Sequence, residues 1–140
     1  MPILNYTISI KAEKTISEIQ GILARAGAKS IIVNYTDGLP TEVMFAIIFK
    51  DEYINFKLPA NHHGVLRSMK KSRVPIRLQT EAQAVSVSWR ILKDWIKSQM
   101  ALIESEQALM VEVFLPYAVN ANGKTIGELF IDNSQKLLNY

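Results

Sequence analysis

Hydrophobic positions along the chain switch between two spacings, and the switches mark its elements. Ile16, Ile19, Leu23 and Ala26 recur at helical steps, so Glu13 to Ala26 predicts a helix with one apolar face. Gly27 follows where a left-handed C-terminal residue is wanted. Ser30–Tyr35 is rich in β-formers, and Thr36–Pro40 is a turn cluster built on Asp37-Gly38. Thr41–Phe49 places Val43, Phe45, Ile47 and Phe49 on one face and Met44, Ala46 and Ile48 on the other, the pattern of a central strand. Lys50-Asp51-Glu52 turns the chain. Tyr53–Leu58 then alternates, with Ile54, Phe56 and Leu58 inward and Tyr53, Asn55 and Lys57 outward. These segments predict an antiparallel three-stranded meander. Tyr6, Ile8 and Ile10, alternating with Thr7 and Ser9, offer a fourth strand at the N-terminus.

Pro59 ends the meander, and a helix is expected over 60–71 with Val65, Leu66 and Met69 inward. Pro75 makes residues 73–77 extended. Thr80 and Gln83 have the spacing of a capping box and open the longest helix, Glu81 to Glu106. One apolar stripe along it holds Val85, Trp89, Leu92, Ile96 and Ile103; a second holds Ala84, Val87, Ile91, Trp95 and Leu102. A small meander covers one stripe. The other calls for a partner helix or a second subunit, with Leu109–Leu115 folded back as the monomeric alternative. Trp89 and Trp95 point about 120° apart on a helix. One is expected in the core and the other at an interface, beside Arg90 and Lys93. Asn120–Gly123 is a turn, and Thr125 with Glu128 caps a short last helix through Phe130. The fold class is therefore α+β: a three-stranded meander, with a candidate fourth strand, packed on a long C-terminal helix and shorter helices. One domain over residues 1–140 is expected.

Composition narrows the chemistry. The chain lacks cysteine, which excludes disulfides, thiolate metal sites and a cysteine nucleophile. Met1–Ile10 has neither the charged head nor the apolar run of a signal peptide, and no apolar run is long enough to cross a bilayer. A cytoplasmic protein with no membrane partner is expected. The net charge of +3 is unevenly spread. Residues 53–97 hold nine bases against Glu81 and Asp94, and Tyr53 to Thr80 holds no acid at all.

The motifs that survive inspection are few. Gly123-Lys124-Thr125 is similar to the end of a P-loop, but the position that needs the first glycine is Ala118. His62 and His63 are adjacent, and on a helix they diverge by about 100°, which chelates one metal ion poorly. Neither a metal site nor a cofactor is expected. Asp94, Glu104, Glu106 and Glu112 read as a solvated face. No nucleophile with a base and an orienting partner assembles, so no catalytic residue is named and the chain is not read as an enzyme. The constellation that stands out is Arg67, Lys70, Lys71, Arg73 and Arg77, five bases within eleven residues. Lys57 adds a cation, and Tyr53 on an outward strand position adds a ring for base stacking. Arg90, Lys93 and Lys97 extend the basic set onto the long helix. The same cations also fit a solvated surface or an acidic protein partner.

The order helix, meander, helix over residues 13–71 resembles that of the double-stranded-RNA-binding domain, without its histidine loop or its lysine cluster at the start of the second helix. The meander followed by a long helix also resembles the core of phage single-strand-annealing proteins. Residue by residue, Glu13–Gln20, Leu58–Asn61, Trp89–Trp95 and Val113–Tyr117 give the chain a resemblance to a family of small uncharacterised proteins of bacterial phages and mobile elements. That resemblance implies a setting and no chemistry. The expected function is an oligomeric accessory protein that binds nucleic acid through the basic segment. The alternative is a non-enzymatic interaction protein that inhibits a host defence component or sequesters its nucleotide messenger.

Overall fold

The computed structural model describes residues 1–138. In chain order the elements are α1 (Ala12–Arg25), β1 (Ser30–Thr36), β2 (Leu39–Phe49), β3 (Glu52–Pro59), α2 (His62–Lys71), α3 (Glu81–Glu104), α4 (Met110–Phe114) and α5 (Ile126–Leu138). The architecture is α+β, an antiparallel sheet of order β1-β2-β3 covered on one face by helices. Both hairpins are tight. Thr36 pairs with Leu39 and Phe49 with Glu52, leaving two-residue turns. Asp37 and Gly38 have φ of 52° and 80°, and Lys50 and Asp51 have 51° and 65°. Two left-handed central residues give the turn whose twist suits paired strands. β2 thus begins at Leu39, two residues before Thr41, and a register shift at Asn34/Tyr35 accommodates Pro40 within it.

Alternation along the strands sorts their side chains as the pattern requires. Val43, Phe45, Ile47, Phe56 and Leu58 point into the principal core. There they meet Ile16, Ile19 and Leu23 of α1, Trp89, Leu92 and Ile96 of α3, and Phe114 of α4. Phe45 stacks on Phe56 at 5.1 Å between centroids and meets Phe114 edge-on at 5.4 Å. The opposite face of the sheet leaves Ile32, Ile48 and Tyr53 exposed. α1 ends as its glycine demands: Gly27 is at φ 103°, and the Ala28 amide bonds the Leu23 carbonyl at 3.0 Å.

A second, smaller core explains the width of the long helix. Val65 and Met69 of α2, Val74, and Ala84 and Val87 of α3 form it, with Ile3, Tyr6 and Ile8 packed alongside. α3 therefore faces the sheet and α1 with one stripe and α2 with much of the other. Trp95 lies against Phe114 and Tyr117, at 5.5 and 5.7 Å between centroids, because the segment after α3 folds back. Among the described residues, no large apolar side chain of α3 is left exposed. Much of the second stripe is thereby packed within the chain, by α2 and by the segment after α3.

Several expectations are corrected. Tyr6–Ile10 is no fourth strand; it is a strap that follows the left-handed Asn5, at φ 65°, and packs Tyr6 and Ile8 on α2 and α3. Gln83 holds it, donating through Nε2 to the carbonyls of Tyr6 and Ile8, both at 2.9 Å. Gln83 is thus diverted from the reciprocal half of the capping box, while Thr80 still accepts from the Gln83 amide at 3.1 Å. α2 starts at His62 because Asn61 caps it, accepting from the Gly64 amide at 3.0 Å. Residues 76–78 form a short 3-10 turn rather than an extended run. Thr125 does cap α5, at 3.1 Å to the Glu128 amide, but the helix runs beyond Phe130 and kinks at Asn133. No helix among the described residues is long and apolar enough to cross a membrane.

Candidate nucleic-acid interface

α2 is amphipathic in a way that sets its cations outward. His62, Val65 and Met69 are buried, and the opposite side carries His63, Arg67, Lys70 and Lys71, all exposed. Lys70 and Lys71 in the last turn complement the partial negative charge of the helix C-terminus, which accounts for part of their placement. The helix then closes with the Val74 amide on the Met69 carbonyl at 3.1 Å and the Arg73 amide on the Lys70 carbonyl at 3.3 Å. This closure puts Arg73 at φ 58°, a left-handed position where glycine is the usual residue. Val74 is buried and anchors the turn, and Gln79 Nε2 donates to its carbonyl at 2.8 Å. Arg77 follows in the 3-10 turn, beside Ile76, which is 84% exposed. Arg67, Lys70, Lys71, Arg73 and Arg77 are all exposed, and among the described residues none is in an ion pair.

The other sequence candidates lie elsewhere or are already engaged. Tyr53 is 68% exposed, on the outer face of the sheet with Lys57. α2 packs on α3, which covers the inner face of the sheet, whereas Tyr53 and Lys57 stand on the outer face, a different surface from the α2 cations. Lys57 also donates to the Gly123 carbonyl at 3.4 Å. Lys93 is only 7% exposed and bonds Glu18 of α1. Arg90 lies 3.9 Å from both Glu18 and Asp94. These two bases tie α3 to α1, and only Lys97 of that set is exposed and unpaired among the described residues. The hydrogen bond from Lys93 holds the Glu18 carboxyl below the usual carboxylate range, and Arg90 adds to it. Of the two tryptophans, Trp89 is the one in the core. It is fully buried, and its Nε1 donates to the Pro40 carbonyl at 3.1 Å. Trp95 is half-buried against Phe114 and Tyr117.

The two histidines behave differently from a diverging pair. Their rings approach to 4.1 Å between centroids with a 39° tilt, since Cβ directions alone do not fix where the rings end. His63 is exposed, whereas His62 is 4% exposed and its Nδ1 has no hydrogen-bond partner. Burial, then the neighbouring His63, push the His62 pKa down, with Glu81 opposing. Among the described residues, no group of three or more histidine and carboxylate side chains is placed to hold a metal ion. Lys124 of the P-loop-like tripeptide is 3.6 Å from Asp132, and Gly123 takes φ 81° in a turn. In sequence, the spacing of four between Arg90 and Asp94 signalled their pairing; nothing local signalled Glu18. No protein-family model, no curated protein and no solved structure matches this chain.

Proposed function

We propose that the chain binds nucleic acid through the exposed side of α2 and the turn after it. One observation carries the reading: five exposed cations within eleven residues, with no acid among them and, among the described residues, no ion pair. Bases already paired with carboxylates are poorly placed to neutralise phosphates; these five are free to do so, and each phosphate they neutralise releases cations condensed on the nucleic acid. Three of the five are arginines, whose fork matches phosphate oxygens. The contacts follow a backbone rather than read bases, so the surface is suited to many sequences. The resemblance to proteins of phages and mobile elements supplies the setting, an accessory protein of such an element.

Charge reversal tests this. Arg67→Glu, Lys70→Glu and Arg73→Glu together should abolish anisotropy changes of labelled oligonucleotides at low salt, while circular dichroism stays that of the wild type. Unchanged binding by the folded variant would defeat the proposal. A second reading, an interaction protein acting on a host defence component, rests on Ile32, Ile48 and Tyr53, which leave apolar surface open on the sheet. It is favoured if the triple reversal has no effect and Ile48→Glu does.

A further inference from the structure

A cleft of about 420 Å³ opens at the N-terminal end of α2, within the size range of small-ligand sites. Thr36 and Asp37 of the first hairpin form one side of its lining, Asn61, His62 and His63 another, and Glu81 of α3 a third. Its chemistry excludes the obvious occupants. Two carboxylates line it, so a bare anion is repelled. No metal-binding trio converges there among the described residues. Leu39, Pro59 and Ala60 add apolar lining between the polar groups, which suits a ring with polar edges. What the lining offers is an aromatic surface, the tilted His62–His63 pair with His63 exposed, and two acceptor-only carboxylates. His62, nine-tenths buried beneath this surface, is itself an unpartnered polar group at Nδ1.

A cation waits at the rim. Arg67 stands four residues after His63 on the same side of α2, and its Nη2 lies 3.7 Å from where a Cβ on Gly64 would sit. The same point is 3.2 Å from Nδ2 of Asn61, which lines the cleft. The guanidinium therefore reaches back towards the cleft rather than out along the helix. A ring surface on α2, carboxylates from the first hairpin and from α3, and the Arg67 guanidinium beside Asn61 thus come together at one cleft.

We propose that this cleft takes the base of a nucleotide bearing an exocyclic amine, stacked on His63, with its amine on Asp37 or Glu81 and its phosphate on Arg67. Adenine, guanine and cytosine carry such an amine. Uracil and thymine instead present carbonyls beside their single ring N–H, and those carbonyls meet the carboxylates unfavourably. The occupant is a free nucleotide or one nucleotide of a strand lying on α2, and in the second case the inference rests on the interface proposed above.

The experiment follows the histidine ring resonances of the full chain during titration with AMP, GMP, CMP and UMP, and with decamers of deoxyadenosine or thymidine. The first three mononucleotides should move the His63 signals, with UMP weaker by about tenfold or more, the loss of a charge-assisted hydrogen bond. His63→Ala should weaken the amine-bearing ligands. Asp37→Asn keeps a residue that accepts the left-handed turn, and it should narrow the difference from UMP because its amide can also donate. A response to deoxyadenosine decamers alone would support the strand as the source. Silent His63 signals with every ligand, equal binding of UMP, or an unaffected His63→Ala variant would overturn the inference. Decamers that bind with silent His63 signals would leave the α2 interface standing and remove the cleft. Mononucleotides that bind without decamers would do the reverse.

Discussion

Arg73 occupies a position that should cost stability, and replacing it separates stability from binding. At φ 58° its β-carbon crowds the backbone, a strain of roughly 1–2 kcal/mol that glycine does not feel. Glycine also makes the unfolded chain freer, which returns part of the gain. Arg73 is exposed, so little packing is lost with it. Arg73→Gly should therefore stabilise the fold by a net of about 0.5–1 kcal/mol, raising Tm by roughly 2–5 °C for a chain of this size. It should also remove one phosphate contact, lowering the slope of log affinity against log salt by about 0.7–0.9. Glu106 supplies the control. It holds the same place after α3, at φ 62°, with the Gln107 amide on the Leu102 carbonyl at 2.9 Å. Glu106→Gly should give a similar stability gain with no loss of nucleic-acid affinity. Urea melts and anisotropy titrations on the three proteins decide the matter. If Arg73→Gly lowers stability, or if it leaves the salt slope where it was, the reasoning is refuted.

Other outcomes follow from the packing. Trp89→Ala should cost about 3–5 kcal/mol in denaturant melts, since it opens the core and strands the Pro40 carbonyl, while Trp95→Ala, half-exposed already, should cost clearly less; equal losses would contradict the assignment. Gln83→Ala should release the strap at Tyr6 and Ile8, costing about 1–2 kcal/mol for two lost hydrogen bonds and speeding amide exchange at Ile8, whose amide bonds the Asn5 carbonyl at 3.0 Å. His62 makes stability fall in mild acid. The unfolded chain protonates this histidine near its ordinary value of 6.5, while the folded chain resists until lower pH. Stability from this group is full above about pH 6.5 and declines as pH drops below it, so His62→Gln should flatten urea midpoints between pH 7 and 5.

Much of the fold was readable from local signals. Period-two runs and the Asp37-Gly38 pair gave the meander its strands and its first turn, and Gly27 marked the end of α1. The spacing of apolar residues on α3 shows both of its stripes. Two stripes require two partners, and sequence does not say whether those partners belong to the same chain. Here α2 and the fold-back through Phe114 supply them. The strap at Tyr6–Ile10 alternates like a strand because alternation reports only which side chains are buried. Whether a sheet edge receives the backbone is decided elsewhere, in this case by Gln83. The basic segment shows the same division. The lack of acids among residues 67–77 leaves their cations without local partners, a feature legible in sequence, whereas the loss of Arg90 and Lys93 to Glu18 depends on α1 crossing α3, a contact across more than seventy positions.

Binding of the unmodified chain to labelled single-stranded and duplex oligonucleotides, followed from low to moderate salt, tests the central claim most directly. Five phosphate contacts predict affinity that falls with salt at a slope near 3.5 for single strands and 4.5 for duplex, at about 0.7 and 0.9 per contact. No binding at low salt, or binding whose affinity does not change with salt, would contradict it.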